Sequence, residues 1–329
     1  MSNNNNSTFK PRDYLKITAY GFALTALWQS LHSIIIPQRL LDIVPETLKN
    51  TYLGLLTLAG LLLAMVVQPI AGSISDNSRF KWGRRRPFIL IGGLAVLLLI
   101  PGVGFANSFA AIFIVYCLLQ VFSNTAQGPY QAFIPEYVPE DKRGRASGVK
   151  ALLEVTGGVI FVYISSYFID RYTMSRDAQW LWLILGILFF VFAAGLIVTL
   201  FTVHEKPGYG SNARVPVYHG LAQTLKTAFT SRQMRWFLVS RLLIYMAFTT
   251  IQQFALYFLS DVIGVTNPAE ATARFLVAAV VGMLIVVWPA GYLSDRIGRK
   301  PISIAAGLLG ALGIGIIAFS TEYGTILWA

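Results

Sequence analysis

QPIAGSISDNSRFKWGRRRPFILI, residues 68–91, decides how this chain is read. An apolar run ends at Gly72, and Asp76 follows one helical turn on. Arg79, Lys81, Arg84, Arg85 and Arg86 come next, and Pro87 opens a second apolar run. Five cations and one acid therefore sit in a tight loop between two segments that belong in hydrocarbon. A shorter copy returns at Gly291, Asp295, Arg296, Gly298, Arg299, Lys300 and Pro301. A polar loop repeated among long apolar runs predicts an all-α polytopic membrane protein with a parallel internal repeat.

Composition agrees with that class. The chain has 329 residues, of which 55% are hydrophobic and only 12% charged, and its mean hydropathy is +0.61. Soluble domains carry about 25% charged residues. In a bilayer each span must satisfy its own backbone groups, which helices do internally. Nine spans are predicted: 14–36, 51–75, 87–106, 108–134, 146–169, 178–203, 235–260, 271–293 and 301–320. The closing segment TEYGTILWA reads as the start of a tenth. Residues 1–13, polar and Asn-rich, read as a cytoplasmic tail and not as a signal peptide, which would carry a short apolar core. The single cysteine, Cys117, excludes a disulfide framework within the chain.

The placement of Lys and Arg gives the orientation. With the N-terminus inside, 19 cations fall on the inner side, in the tail, the 2–3, 4–5 and 8–9 loops and the 6–7 segment. The outer side holds five, Arg39, Lys49, Arg171, Arg176 and Arg274. Such cations anchor topology near lipid headgroups, so the net charge of +11 is not read as nucleic-acid binding. Residues 204–234, with Pro207, Gly208, Gly210 and Pro216, read as a cytoplasmic linker, and 218–232 as a surface helix within it. The expected organisation is a tail over 1–13, a six-helix bundle over 14–203, the linker over 204–234 and a partial second bundle over 235–329.

The second loop, Gly-x-x-x-Asp-Arg-x-Gly-Arg-Lys from Gly291 to Lys300, resembles the signature loop of the major facilitator superfamily. The first copy has four extra residues between Asp76 and Gly83. That longer form, ending WGRRRPFI, is similar to the sucrose-transporter-like and glycoside–pentoside–hexuronide cation symporters, as is NTAQGPYQAFIPE from Asn124 to Glu136. The motif-level likeness is confined to 68–91, 124–148 and 291–301, while the topology covers most of the chain. The resemblance implies the major facilitator fold, a six-helix N-terminal bundle plus an incomplete C-terminal bundle, alternating access, and a monomer. The family pattern has twelve helices, so three are expected to be missing here. Asn124 and Gln131 stand where the family's patterns carry arginine, which counts against the usual coupling route and against sucrose itself.

The loop chemistry predicts a gating latch of Gly72, Asp76, Arg79, Arg84, Arg85, Glu136, Arg145, Gly291, Asp295, Arg296 and Arg299. Glycines let helices approach closely, acids suit helix N-termini, and arginines bridge to acids. Arg79 or Arg84 is expected to reach Glu136, and Asp295 to lie near the start of the fifth span. The plainer alternative is that these cations only enforce topology.

Polar residues within spans are functional candidates. Lys150 and Glu154 lie four apart on one face, and Glu154 sits deep enough to suit proton coupling. A static pair with Lys150 or Arg145 is the other reading. Gln120, Asn124, Gln127 and Gln131 share one face of the fourth span. Amides both donate and accept, which suits hydroxyl-rich ligands, and interhelical hydrogen bonding would use them equally. Trp28, Gln29 and His32 fall within one turn, and Arg241, Tyr245, Thr249 and Gln252, followed by Gln253 and Tyr257, line the seventh span. Aromatic rings beside amides suit a sugar, though packing or interfacial anchoring explains such rings too. The substrate-binding candidates are thus Trp28, Gln29, His32, Asn124, Gln127, Gln131, Tyr245, Gln252 and Tyr257.

His32, His204, His219 and Cys117 are scattered, so no metal site and no cofactor are expected, and no catalytic constellation points to an enzyme. The function these observations imply is secondary transport of a sugar or related polyhydroxylated solute across the cell (inner or plasma) membrane. The expected partners are that solute, a coupling proton or sodium ion and the bilayer. An exporter of apolar compounds with the same fold, and a non-transporting truncated homologue, are the alternatives.

Overall fold

The computed structural model describes residues 11–203, 230, 232–320 and 322–328. The expected surface helix over 218–232 falls mostly outside them, as do the tail to residue 10 and linker residues 204–229. Every regular element described is helical. The first helical run comprises α1 (Pro11–Ser30), a π-helical turn (Leu31–Ile35) and α2 (Ile36–Ile43). After it come α3 (Lys49–Asp76), α4 (Arg86–Phe105), α5 (Phe109–Gln131) and the short α6 (Phe133–Tyr137). Then follow α7 (Arg143–Ser175), α8 (Gln179–Thr202), α9 (Arg232–Asp261), α10 (Pro268–Ile297), α11 (Arg299–Phe319) and α12 (Tyr323–Trp328). The segment read as the start of a tenth span is α12.

Local chemistry sets the ends. Pro87 and Pro268 lie in the first turns of α4 and α10, where a missing N–H leaves no gap. Ser108 caps α5 by accepting from the Ala111 amide at 3.2 Å. Arg176 ends α7 in the left-handed region, at φ 55°.

Eight helices among the described residues are long and apolar enough to cross a membrane. Their apolar side chains point outward: Leu98, Phe190 and Phe201 are at least 70% exposed, which water would not tolerate and lipid requires. The first helical run, read from sequence as a ninth span, is less apolar for a physical reason. It packs against α7 and α8, and Tyr20, Leu27, Leu31, Ile34 and Ile35 are fully buried. Its surroundings are protein and not lipid. It also runs on to Ile43, beyond its predicted end at 36, because Pro37 is absorbed by the π turn. Proline offers no N–H to the carbonyl four residues back, and its ring crowds that carbonyl. The wider turn relieves this, and the Ile36 N–H bonds to the Leu31 carbonyl, five residues back.

α3, α4, α5 and α8 complete the packing around the first run. α9 and α10 pack on each other, on the π turn and, through α10, on α7. Leu256, Tyr257, Ala269 and Ala273 join the main core there. Residues 232–236 and 238–246 of α9 are exposed, whereas Gln253, Ala255, Leu256 and Tyr257 are buried. The elements before and after residues 204–229 therefore touch at the end remote from the basic loops and part toward the other end. The crevice between them has its apex near the π turn.

Candidate functional site

The π turn places His32 beside α5. The His32 and Trp28 rings stack with centroids 4.7 Å apart, and Trp28 meets Tyr116 edge-on at 5.9 Å. His32 Nε2 and the Tyr116 hydroxyl are 3.1 Å apart. Gln120 Nε2 donates to that hydroxyl at 3.1 Å, and Asn124 Nδ2 donates to Gln120 Oε1 at 3.1 Å. Histidine, phenol and two amides thus form one continuous polar thread at the apex. Gln120 and Asn124, on the face read from sequence, are buried and engaged with each other. Gln127 is half-buried and Gln131 exposed, so the predicted stripe divides along its length. Gln29 packs instead on α7, against Gly158.

A second cluster joins α1, α5 and α7. Glu154 Oε1 lies 3.7 Å from Lys150 Nζ, and Lys150 sits over the Tyr130 ring at 4.8 Å. The Gly21 N–H donates to the Tyr130 hydroxyl at 3.1 Å. A methyl group on Gly21 would stand 2.1 Å from Glu154 Oε1 and 2.5 Å from the Tyr130 hydroxyl, so only glycine admits the carboxylate here. Gly21→Ala is expected to displace both groups and destabilise the protein by about 1–3 kcal/mol. A double-mutant cycle with Glu154→Ala in thermal unfolding checks this, since trimming Glu154 should recover part of the loss. Strictly additive losses would refute the contact.

At the basic end, Arg85 Nη2 pairs with Asp76 at 2.8 Å and Glu136 at 2.5 Å, and Nη1 donates to the Pro129 carbonyl at 3.1 Å. Arg84 also pairs with Glu136. Arg79, the other candidate for Glu136, is exposed, as is Arg145. Gly72 serves close approach: Gly128 on α5 faces it so tightly that a Cβ there would come within 2.5 Å of the Gln68 carbonyl. All these pairs join elements that precede residue 204, so in this structure they tie α3, α4, α5 and α6 together and do not span the crevice. Arg296 lies near the end of α10 and is exposed, whereas the surroundings of Gly291 and the side chains of Asp295 and Arg299 lie outside what the structure describes.

The contacts that do span the two parts lie at the opposite end, and sequence reading missed them. Lys49 Nζ pairs with Asp261 at 2.7 Å and sits over the Tyr257 ring at 5.1 Å. The Tyr257 hydroxyl donates to the Pro37 carbonyl at 2.7 Å. Tyr257 thus closes the remote end, while Tyr245 is exposed on α9 and Gln252 half-buried. Beside them, Arg39 reaches the Val103 and Ala106 carbonyls at the end of α4 and pairs with Asp42 at 3.1 Å. Among the described residues, no three His, Cys, Asp or Glu side chains gather as metal ligands would.

The model of the MFS/sugar transport protein family matches residues 17–329. A lactose permease of Leuconostoc lactis is 24% identical over 268 residues, 73% of this chain and 40% of that permease. A sucrose transport protein of Arabidopsis thaliana is 28% identical over 135 residues, 34% of this chain and 23% of that protein. The matched stretches thus span less than half the length of these curated relatives. Among solved structures, a nucleoside transporter superposes with a TM-score of 0.72 at 15% identity, over 95% of this chain and 76% of that one. A D-xylose–proton symporter gives 0.61 at 16% identity, over 96% and 81%. At these identities the structural likeness speaks for the fold.

Proposed function

The chain belongs to the MFS/sugar transport protein family, and from that premise we propose that it carries a sugar or related polyhydroxylated solute across the membrane in symport with a proton. The observation that carries this reading is the apex of the crevice. Stacked aromatic rings and buried amides meet there, and Glu154 lies against the same first run about two turns away, at Gly21. Rings cover the apolar faces of a sugar and amides answer its hydroxyls. A carboxylate in a span, held beside a lysine and a tyrosine, is suited to take up and release a proton.

In this reading the segments before and after the linker are the two bundles, the N-terminus and basic loops face the cytoplasm, and the crevice opens inward. Rocking about the apex would close the basic end and part Lys49 from Asp261. The candidates Trp28, Gln29, His32, Asn124, Gln127, Gln131 and Gln252 take the solute, and the protein acts as a monomer.

The test is external pH in a weakly buffered suspension of expressing, energy-depleted cells as disaccharides are added one at a time. Alkalinisation with one sugar is expected, and Glu154→Gln should abolish it while leaving sugar counterflow in place. Silence across the panel with expression verified would overturn proton–sugar symport. An unchanged signal in Glu154→Gln would move the coupling site elsewhere.

A further inference from the structure

The polar thread at the crevice apex has a direction, and it can be read from one unambiguous atom. Asn124 Nδ2 lies 2.8 Å from the Gln120 backbone carbonyl, which can only accept. That fixes the Asn124 amide with its nitrogen toward Gln120. Its second proton then goes to the Gln120 side chain at 3.1 Å, so the atom there is Oε1. Gln120 must therefore turn its nitrogen to the Tyr116 hydroxyl. The hydroxyl accepts from Gln120 and has one proton of its own to give. Tyr116 is 2% exposed, and the acceptor within reach of that proton is His32 Nε2. A ring nitrogen that accepts carries no proton. Neutral imidazole must then hold its proton on Nδ1, the reverse of the form that free histidine prefers.

We propose that Asn124, Gln120 and Tyr116 are positioning residues that lock His32 as the Nδ1–H tautomer and so make it a hydrogen-bond donor at the crevice apex. No partner among the described residues takes up Nδ1, and His32 is only partly buried. Its stacking on Trp28 holds the ring plane, so the donor has a fixed direction. The ligand chemistry that fits is an oxygen acceptor next to an apolar face, as a sugar hydroxyl or ring oxygen provides. The identity of that ligand rests on the transport reading above, whereas the tautomer does not. The thread also gives Tyr116 and Gln120 a purpose beyond packing. A Cβ at Gly60 on α3 would come within 2.7 Å of the Tyr116 hydroxyl and 2.9 Å of Gln120 Nε2, so α3 closes the back of the thread and leaves it no slack.

The experiment is nitrogen-15 NMR of histidine-labelled full-length protein in lipid, carrying His204→Gln and His219→Gln so that His32 alone reports. Near neutral pH the ring is expected to show a protonated Nδ1 and a bare Nε2, with the opposite tautomer below a tenth of the signal. Tyr116→Phe removes one oxygen and should return the ring to the Nε2–H form. Gln120→Met, which frees the Tyr116 hydroxyl to rotate, should give a mixture, and it serves if the first variant does not fold. A predominantly Nε2–H ring in the parent, or a tautomer ratio unmoved in the variants, overturns the proposal. Sucrose, lactose and xylose are then added in turn. A shift of the Nδ1 signal with one of them, weakened about tenfold in apparent affinity by Tyr116→Phe, joins the tautomer to the solute. An intact Nδ1–H signal that none of them moves leaves the thread standing and counts against the sugar reading alone.

Discussion

Asp261→Asn is expected to release the end of the molecule remote from the basic loops. Lys49 is the first residue of α3 and Asp261 the last of α9. Each charge therefore sits at the unfavourable end of its own helix, a cation where the backbone dipole is positive and an anion where it is negative. Their 2.7 Å pairing relieves both, and Lys49 has only 4% of its side chain exposed. Glu46, 3.7 Å away but 83% exposed, is a poor substitute. Removing one partner of a buried pair costs about 3–5 kcal/mol. Asp261 is 37% exposed and partly hydrated, so a loss of roughly 2–3 kcal/mol is the better expectation, or about 30–150-fold in the ratio of closed to open. Spin labels on Leu48→Cys and Val262→Cys, in a background without Cys117, would report the separation. The parent should give one short distance, and Asp261→Asn a long or divided one. The exchange Lys49→Asp with Asp261→Lys supplies the discriminating control, because it restores the pair and puts each charge at the favourable end of its helix. It should hold this end shut at least as firmly as the parent. A short distance that persists in Asp261→Asn would show that Tyr257 and the apolar contacts around it close this end unaided.

That pair also marks where sequence reading stopped. The spans were legible because hydrocarbon demands long apolar runs, and the sugar-transport family because its basic loops carry a glycine, an acid and cations at fixed spacing. The Lys150–Glu154 neighbourhood was legible because one helical turn sets it. Lys49 was read as a loop cation, since nothing local reveals a partner 212 residues away. Tyr116 lay inside an apolar run, where one phenol looks like packing. Its only signal was Gln120 one turn on, which put the two side chains on the same face. The π turn had a signal that went unused: Pro37, within an otherwise continuous helical run, must displace the carbonyl behind it. The pairing of Arg84 with Glu136 was legible in the basic loop, but the place of Arg85 at the centre of that cluster was not. Arg79, Arg84 and Arg85 are equivalent in sequence, and only the packing of α4 against α5 turns Arg85 inward and leaves Arg79 in the open.

Arg85→Ala is accordingly expected to be the most damaging single change at the basic end. Its side chain is 5% exposed and serves three groups at once: the Asp76 and Glu136 carboxylates and the Pro129 carbonyl near the end of α5. Without it two carboxylates that share one guanidinium nitrogen face each other, and a carbonyl near a helix end loses its charged partner. Arg84 stays paired with Glu136 and softens the loss, so about 3 kcal/mol is expected, at the lower end for a broken buried pair. Arg84→Ala removes a side chain that is 35% exposed and should cost less than about 1 kcal/mol. Arg85→Lys keeps the charge but gives up the planar fork that reaches acid and carbonyl together, so it should fall between the two. Thermal unfolding of the three purified variants gives the order directly. If Arg84→Ala proved as damaging as Arg85→Ala, the cluster would be a diffuse field of cations around Glu136 and not a joint built on one buried arginine. In the proposed transport cycle the difference matters, because a joint keeps α3, α4, α5 and α6 moving as one body while the crevice opens and closes beside them.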